Sequence, residues 1–292
     1  NSNTLDKIYV DNVGNLICYK KGKKSSKKVM ISAHVDEVGI QIMKKIDERK
    51  YSFKVLGNIK CWNLLQQRMR SGNKMGIIFA NDETNIKAYN YSNLFINIIS
   101  TDDNVNIGDV FSFDNKFEES NEYICGKAID NRICCNILID FINNMPCLDN
   151  DIYCVFTVQE EIGMRGIRVA KTNIRPNIYI NLDVSPESEM NNIEIKKGVG
   201  IVSSNSIGVS SCDLFKLMVD VAKKNNIIHQ IEVSDCGTNE LIISNEKDNG
   251  TKTIAISLPC KYIHTANTIV HKNDIKEFKK LLEIYIKNTR EH

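Results

Sequence analysis

Hydrophobic and polar positions follow two rhythms along the chain. The run KVMISAHVDEVG (28–39) reads as a buried strand ending in polar residues. From about Ile40 to Ser120 come short alternating segments, YSFKVLG, MGIIFAN, NLFINIIS and DVFSFDN, broken by Gly, Asn and Asp. Period-two alternation between such breakers predicts an all-β stretch. After Ile124 the rhythm becomes strand, then helix, repeatedly. A helix is expected to open at Asp130, with Ile133, Ile137, Leu138 and Phe141 on one stripe and Asn143–Pro146 as its stop. DIYCVFTV (151–158), NIYINLDV (177–184) and TKTIAISL (251–258) are continuous apolar runs, as in strands buried on both faces. GMRGIRVAK reads as a short helix. Amphipathic helices are predicted over Ser211 to Lys224, with Leu214, Leu217, Met218 and Val221 inward, and at the end of the chain, with Ile275, Phe278, Leu281, Leu282 and Tyr285 inward. The alternation predicts an α/β sandwich, with the β-rich stretch inserted after its first strand. The run KKGKKSSKK (20–28) reads as a solvated hairpin.

Composition narrows the function classes. Of 292 residues, 42% are hydrophobic and 25% charged, which suits one large or two smaller globular domains and not a disordered or fibrous chain. A formal net charge of +2 gives no argument for a nucleic-acid partner. No apolar run reaches the roughly 18–20 residues of a membrane span, and the polar start NSNTLDK does not read as a signal peptide. The ten cysteines include no C-x-x-C pair, and Cys134 and Cys135 are adjacent. Without an export signal they read as reduced, mostly buried thiols, so any metal must be held by histidine and carboxylate.

Candidate chemistry sits at predicted strand ends and one helix start: His34 with Asp36 in AHVDEVG, Asp130 in GKAIDNR, Glu160 and Glu161 in TVQEEIG, Asp183 in INLDVS and His264 in KYIHT. Open α/β sheets carry their ligand crevice outside the carboxyl ends of the strands. Each residue alone has a bland reading: Asp130 as a helix N-cap, His264 as a hydrogen-bonded structural histidine, the glutamates as a solvated turn, Asp183 as a cap. Together, two histidines and three carboxylates are what two divalent ions need when one carboxylate bridges them, and a fourth carboxylate is left as a base.

The strings AHVDEVG, GKAIDNR, VFTVQEEIGMRG and LPCKYIHT, in this order, resemble the dinuclear-metal aminopeptidases of the glutamyl and deblocking type. These are the self-assembling tetrahedral (TET) peptidases, some once labelled cellulases. The match runs from DNVGNL (11–16) to the final helix. The resemblance implies that Asp130 bridges two divalent ions per subunit, zinc or cobalt foremost and manganese also compatible. His34 and Asp183 would complete one ion's ligands, and Glu161 and His264 the other's. Glu160 would be the general base, and Asp36 would orient His34. It further implies an α/β/α sandwich catalytic domain of phosphorylase/hydrolase-like type (1–39 plus 119–292). A small all-β domain (40–118) would be inserted in it and would mediate dimerisation. Peptide substrates, a cytoplasmic setting, and dimers that build a dodecamer are implied as well.

Some positions depart from the family pattern. Asn239 in CGTN stands at a usual aspartate, Lys261 replaces a usual arginine, Asn131 replaces a second aspartate, and Cys134–Cys135 stand where glycine is common. Asn239 and Lys261 are taken as substrate-binding candidates, and Cys236 in the same altered CGTN string is the one thiol expected near the chemistry. The chain starts close to its first family-like residues, so the segment that usually precedes them is expected to be missing. Two alternatives stand beside this reading. One is a glycoside hydrolase, which needs two carboxylates and no histidine. The other is a catalytically silent metal-binding or assembly relative.

Overall fold

In the computed structural model, the structure describes residues 5–81, 90–101, 104–190, 192–234, 240–241 and 250–289. The chain opens with β1 (Lys7–Val10), β2 (Leu16–Lys20) and β3 (Lys28–His34). The next strands are β4 (Gly39–Lys45), β5 (Lys50–Leu56), β6 (Arg68–Ser71), β7 (Lys74–Ala80), β8 (Leu94–Ile98) and β9 (Val110–Phe113), with a short helix α1 (Cys61–Leu64) among them. Then come β10 (Glu118–Glu119), β11 (Tyr123–Gly126), α2 (Ile129–Asn143), β12 (Asp151–Thr157), α3 (Arg165–Ile174), β13 (Ile178–Pro186) and β14 (Val199–Ser204). The remainder is α4 (Cys212–Lys224), β15 (His229–Val233), β16 (Lys252–Lys261), β17 (Thr268–His271) and α5 (Lys272–Asn288). The class is α/β. None of the helices among the described residues is long and apolar enough to cross a membrane.

The main sheet runs β1-β2-β12-β3-β13-β16-β17-β11-β10, with β14 beside β16 and β15 beside β14. Its central strands β12, β3, β13 and β16 are parallel, so their carboxyl ends share one edge. Alternation along β3 sorts its side chains. Val29, Ile31 and Ala33 join the core formed with α2, α4 and α5, whereas Met30 joins a second core under α3, with Val155 and Tyr179. The α3 core stops short of the strand ends. On that face β3 continues past Met30 to Ser32 and His34, and β13 continues past Tyr179 to Asn181 and Asp183. Strand geometry therefore delivers polar side chains to one spot beyond an apolar base.

Strands β4-β5-β8-β7-β6-β9 close into a barrel with its own apolar centre, including Ile40, Phe53, Ile96, Phe111 and Phe113. Closure leaves the barrel no unpaired edge. The lysine-rich run differs from the expected hairpin. Strand β12 lies between β2 and β3, and the backbone N–H groups of Lys23, Lys24 and Ser25 donate to the Leu148 and Asp149 carbonyls. A third strand thus separates the two that the short connection seemed fitted to pair. All nine described cysteines are unpaired, and six are buried, but Cys147 and Cys212 are exposed. Cys147 lies in the loop after α2, and Cys212 opens α4. Cys236 lies outside the described residues.

Phe278 on α5 is fully buried in the main core, whereas Ile8 on the edge strand β1 is 61% exposed. Phe278→Ala is expected to lower unfolding free energy by about 3–5 kcal/mol, and Ile8→Ala by no more than about 0.5 kcal/mol, in denaturant titrations.

Candidate active site

The strand ends gather their ionisable groups where the sequence placed them. His34 is the last residue of β3, Asp183 lies on β13 beside it, Glu160 and Glu161 follow β12, Asp130 opens α2, and His264 follows β16. Asp130 divides its oxygens between the histidines: Oδ1 is 3.0 Å from His34 Nε2, and Oδ2 is 3.1 Å from His264 Nε2. Around the first contact, Asp183 Oδ1 is 3.7 Å from His34 Nε2. Around the second, Glu161 Oε2 is 3.4 Å from His264 Nε2. Two triads result, His34–Asp130–Asp183 and Asp130–Glu161–His264, each with potential ligand atoms within 4.8 Å of one another. A third grouping, His34–Glu160–Glu161, reuses the first histidine.

Both imidazoles are held from behind. His34 Nδ1 faces the Asp36 backbone carbonyl at 3.2 Å, and His264 Nδ1 faces the Asn58 carbonyl at 2.9 Å. A ring that donates from Nδ1 presents the Nε2 lone pair to the centre, the arrangement of a metal ligand with its supporting partner. The Asp36 carboxylate also accepts the backbone N–H groups of Glu160 and Glu161, both at 3.1 Å, so it ties the β3 end to the β12 end. Its contact with the His34 ring, at 3.6 Å, is the looser one. Left-handed backbone also occurs at these places: Ala128, Gln159, Met164, Tyr262 and His264 have φ between 53° and 60°.

The electrostatics are those of an anionic cage. Burial works against a charged His34 ring, yet the hydrogen bonds that the Asp130 and Asp36 carboxylates accept from it hold its pKa well above the ordinary value. Burial likewise opposes ionisation of Asp130, but hydrogen bonds to His264 and His34 win and keep it ionised far below the usual range. Burial pushes Glu160 up to about 8 and Glu161 up to about 7, with neighbouring carboxylates adding to the rise. Asp183 is raised well above its usual value, first by burial. Glu161 Oε1 is buried with no hydrogen-bond partner among the described residues. Crowded carboxylates, an orphaned carboxylate oxygen and two presented imidazoles form a mixed N/O donor set that suits divalent cations.

A cleft of about 1080 Å³ opens over these groups. The sheet side contributes Ser185, Pro186, Glu187, Glu232 and Cys260, and Asn58, Lys60 and Trp62 overhang it from the barrel side. Lys261 lines the cleft with its ammonium 3.0 Å from Glu187. Asn239 lies outside the described residues. Two thiols that the sequence did not place near the chemistry approach the centre. Cys260 lines the cleft, and Cys135 Sγ donates to the His34 carbonyl at 3.1 Å. Asn131 Nδ2 donates to the Leu182 carbonyl at 2.8 Å.

Two buried acids were also missed. Glu240 accepts hydrogen bonds from Ser32, Thr157, Tyr179 and Asn181 on three adjacent strands, directly behind His34. Glu232 accepts from Ser185 and Ser257. Neither stands in a motif, and both matter only through partners distant in sequence.

Comparison with known proteins agrees with this geometry. The profile of the M42 glutamyl aminopeptidase family matches residues 14–281. The chain belongs to that family. A protein of Acetivibrio thermocellus provisionally named an aminopeptidase is 32% identical over 290 residues, covering 95% of this chain and 87% of its own length. An aminopeptidase structure from Desulfurococcus kamchatkensis superposes with a TM-score of 0.90 at 26% identity, covering 97% of this chain and 86% of that one. The Pyrococcus horikoshii TET1 peptidase, described as assembling into a tetrahedron or a large octahedral shell, superposes with a TM-score of 0.86 at 26% identity over 97% of this chain and 89% of its own. As an M42 member, the protein is an aminopeptidase, a hydrolase that removes residues from the amino ends of peptides. Two histidines in the cluster are not what a glycoside hydrolase requires.

Replacing Asp36 by alanine removes the acceptor for both glutamate N–H groups. Divalent-metal affinity is expected to fall about 10–100-fold, as for other residues that orient ligands, in competitive metal titrations.

Proposed function

We propose that the protein is a metal-dependent aminopeptidase whose two divalent ions share Asp130. The observation that carries this reading is the division of the Asp130 oxygens between two histidines, each of which heads its own triad. His34 and Asp183 would hold one ion and Glu161 and His264 the other. Zinc or cobalt suits these donors, and manganese is compatible. The bound ions would acidify a water and polarise the scissile carbonyl.

The remaining work falls to the chain. Glu160 belongs to neither triad, and its Oε2 stands 3.8 Å from His34 Nε2 at the cleft. Its N–H is held by Asp36, and its carbonyl accepts from the N–H groups of Gly163 and Met164, so its backbone is fixed from both sides. In this role Glu160 takes the proton of the attacking water and returns it to the leaving amine. Lys261 and Asn239 are assigned to the substrate side. The Lys261–Glu187 pair would set the charge of that wall.

The architecture in this reading is an α/β/α sandwich (1–39 plus 119–292) carrying an inserted β-domain (40–118). Self-association through the barrel into dimers, and from them a dodecamer, is supported by the assembling TET1 relative. It is also supported by Met43, Ile46, Ile107 and Val110, apolar residues exposed in the barrel region. A cytoplasmic setting is consistent with the unpaired thiols.

Glu160→Gln is expected to retain both metals by elemental analysis while turnover of aminoacyl anilides drops on the order of 10²–10⁴-fold. Near-normal turnover sinks the assignment. A chelator is expected to abolish hydrolysis, and added zinc or cobalt to restore it. Activity indifferent to the chelator argues against the metal reading. A silent panel with metal bound instead favours the non-catalytic relative. Native mass measurement checks the assembly.

A further inference from the structure

Glu232 sits on β15, outside both triads, yet lines the same cleft. It is 4% exposed, and its two oxygens accept from the Ser185 and Ser257 hydroxyls, both at 2.5 Å. Ser185 lies two residues beyond Asp183 on β13, and Ser257 stands opposite Asp183 on β16. Both hydroxyls therefore rise from the sheet face that carries Asp183, and they hold the carboxylate beside it. Gly200 on β14 makes the room: a Cβ there would stand 2.1 Å from Ser257 Oγ and 3.3 Å from Glu232 Oε2.

A buried carboxylate held only by hydroxyls lacks a counter-charge. The other cleft carboxylates have work: Asp130, Asp183 and Glu161 face the metal positions, Glu160 moves the proton, and Glu187 pairs with Lys261. Among the described residues no cation pairs with Glu232. An enzyme that cuts only at amino ends must recognise the one positive charge all its substrates share. We infer that Glu232, seated by Ser185, Ser257 and Gly200, is the anionic anchor for the α-ammonium group of the substrate.

The inference rests on the two-metal reading of the site. It selects the α-ammonium over a side-chain cation because Ser257 is one strand spacing, about 4.8 Å, from Asp183. That reach suits a nitrogen two bonds from the scissile carbonyl carbon. An internal peptide bond brings no charge to Glu232 and would bury the carboxylate unmatched, which accounts for amino-terminal selectivity.

The test compares leucinamide with 4-methylpentanamide, the same ligand without its amine, by calorimetry on metal-loaded E160Q protein. Leucinamide is expected to bind roughly 10–100-fold more tightly, and E160Q/E232Q to bind the two alike, since a buried charge-assisted hydrogen bond is lost. In kinetics, E232Q raises KM for leucyl, alanyl and lysyl anilides by similar factors with little change in kcat. A leucinamide advantage that persists in the double variant, equal weakening of both ligands, or a loss confined to lysyl and arginyl substrates each overturns the assignment. If E232Q does not fold, S257A and S185A are compared in the same way, and an unchanged advantage again overturns it. Failure of metal-loaded wild-type protein to cleave any anilide is the separate failure of the aminopeptidase mechanism.

Discussion

The arrangement depends on one shared carboxylate. Asp130 is nearly buried and touches both histidines, and each histidine gathers a further acid. Like charges at these separations repel strongly in a low-dielectric setting, so the cluster persists only because the surrounding backbone fixes every member. Asp36 locks the β12 terminus to β3, two carbonyls lock the imidazoles, and five left-handed residues turn the chain into place. Rigid anionic crowding of this kind is unfavourable for the empty fold and favourable for cation capture.

Beneath the cluster, one face of the sheet is graded along the strands. Met30, Val155 and Tyr179 pack under α3, Ser32, Thr157 and Asn181 follow, and His34 and Asp183 end the series. Glu240 occupies the middle band, where burial raises its pKa and the Ser32 and Thr157 hydrogen bonds pull it back down. Its four donors tie three strands together immediately behind the ligands. Apolar packing and ligand geometry are thus joined by a polar layer rather than by a sharp boundary.

The metal-binding candidates were legible because strand ends expose them in short strings. His34, Glu160, Glu161, Asp183 and His264 each follow or close an apolar run, and Asp130 precedes a helical stripe. The helices were legible from their stripes as well, down to Phe278 and Tyr285. What the sequence hid was pairing. Nothing in KKGKKSSKK says that a strand more than a hundred residues later will lie between its neighbours. The roles of Glu232 and Glu240 depend on hydroxyls from other strands, and the Asn58 carbonyl acts through its backbone, which leaves no side-chain signal.

That carbonyl has a wider consequence. His264 is fastened to the sheet through β16, while its ring is steadied by Asn58, in the connection that leaves β5 of the barrel. The two bodies of the molecule therefore hold one imidazole between them. A shift of the barrel would therefore move this imidazole directly, alongside the β3–β4 connection and the Asn115–Ala266 hydrogen bond that also join the two bodies.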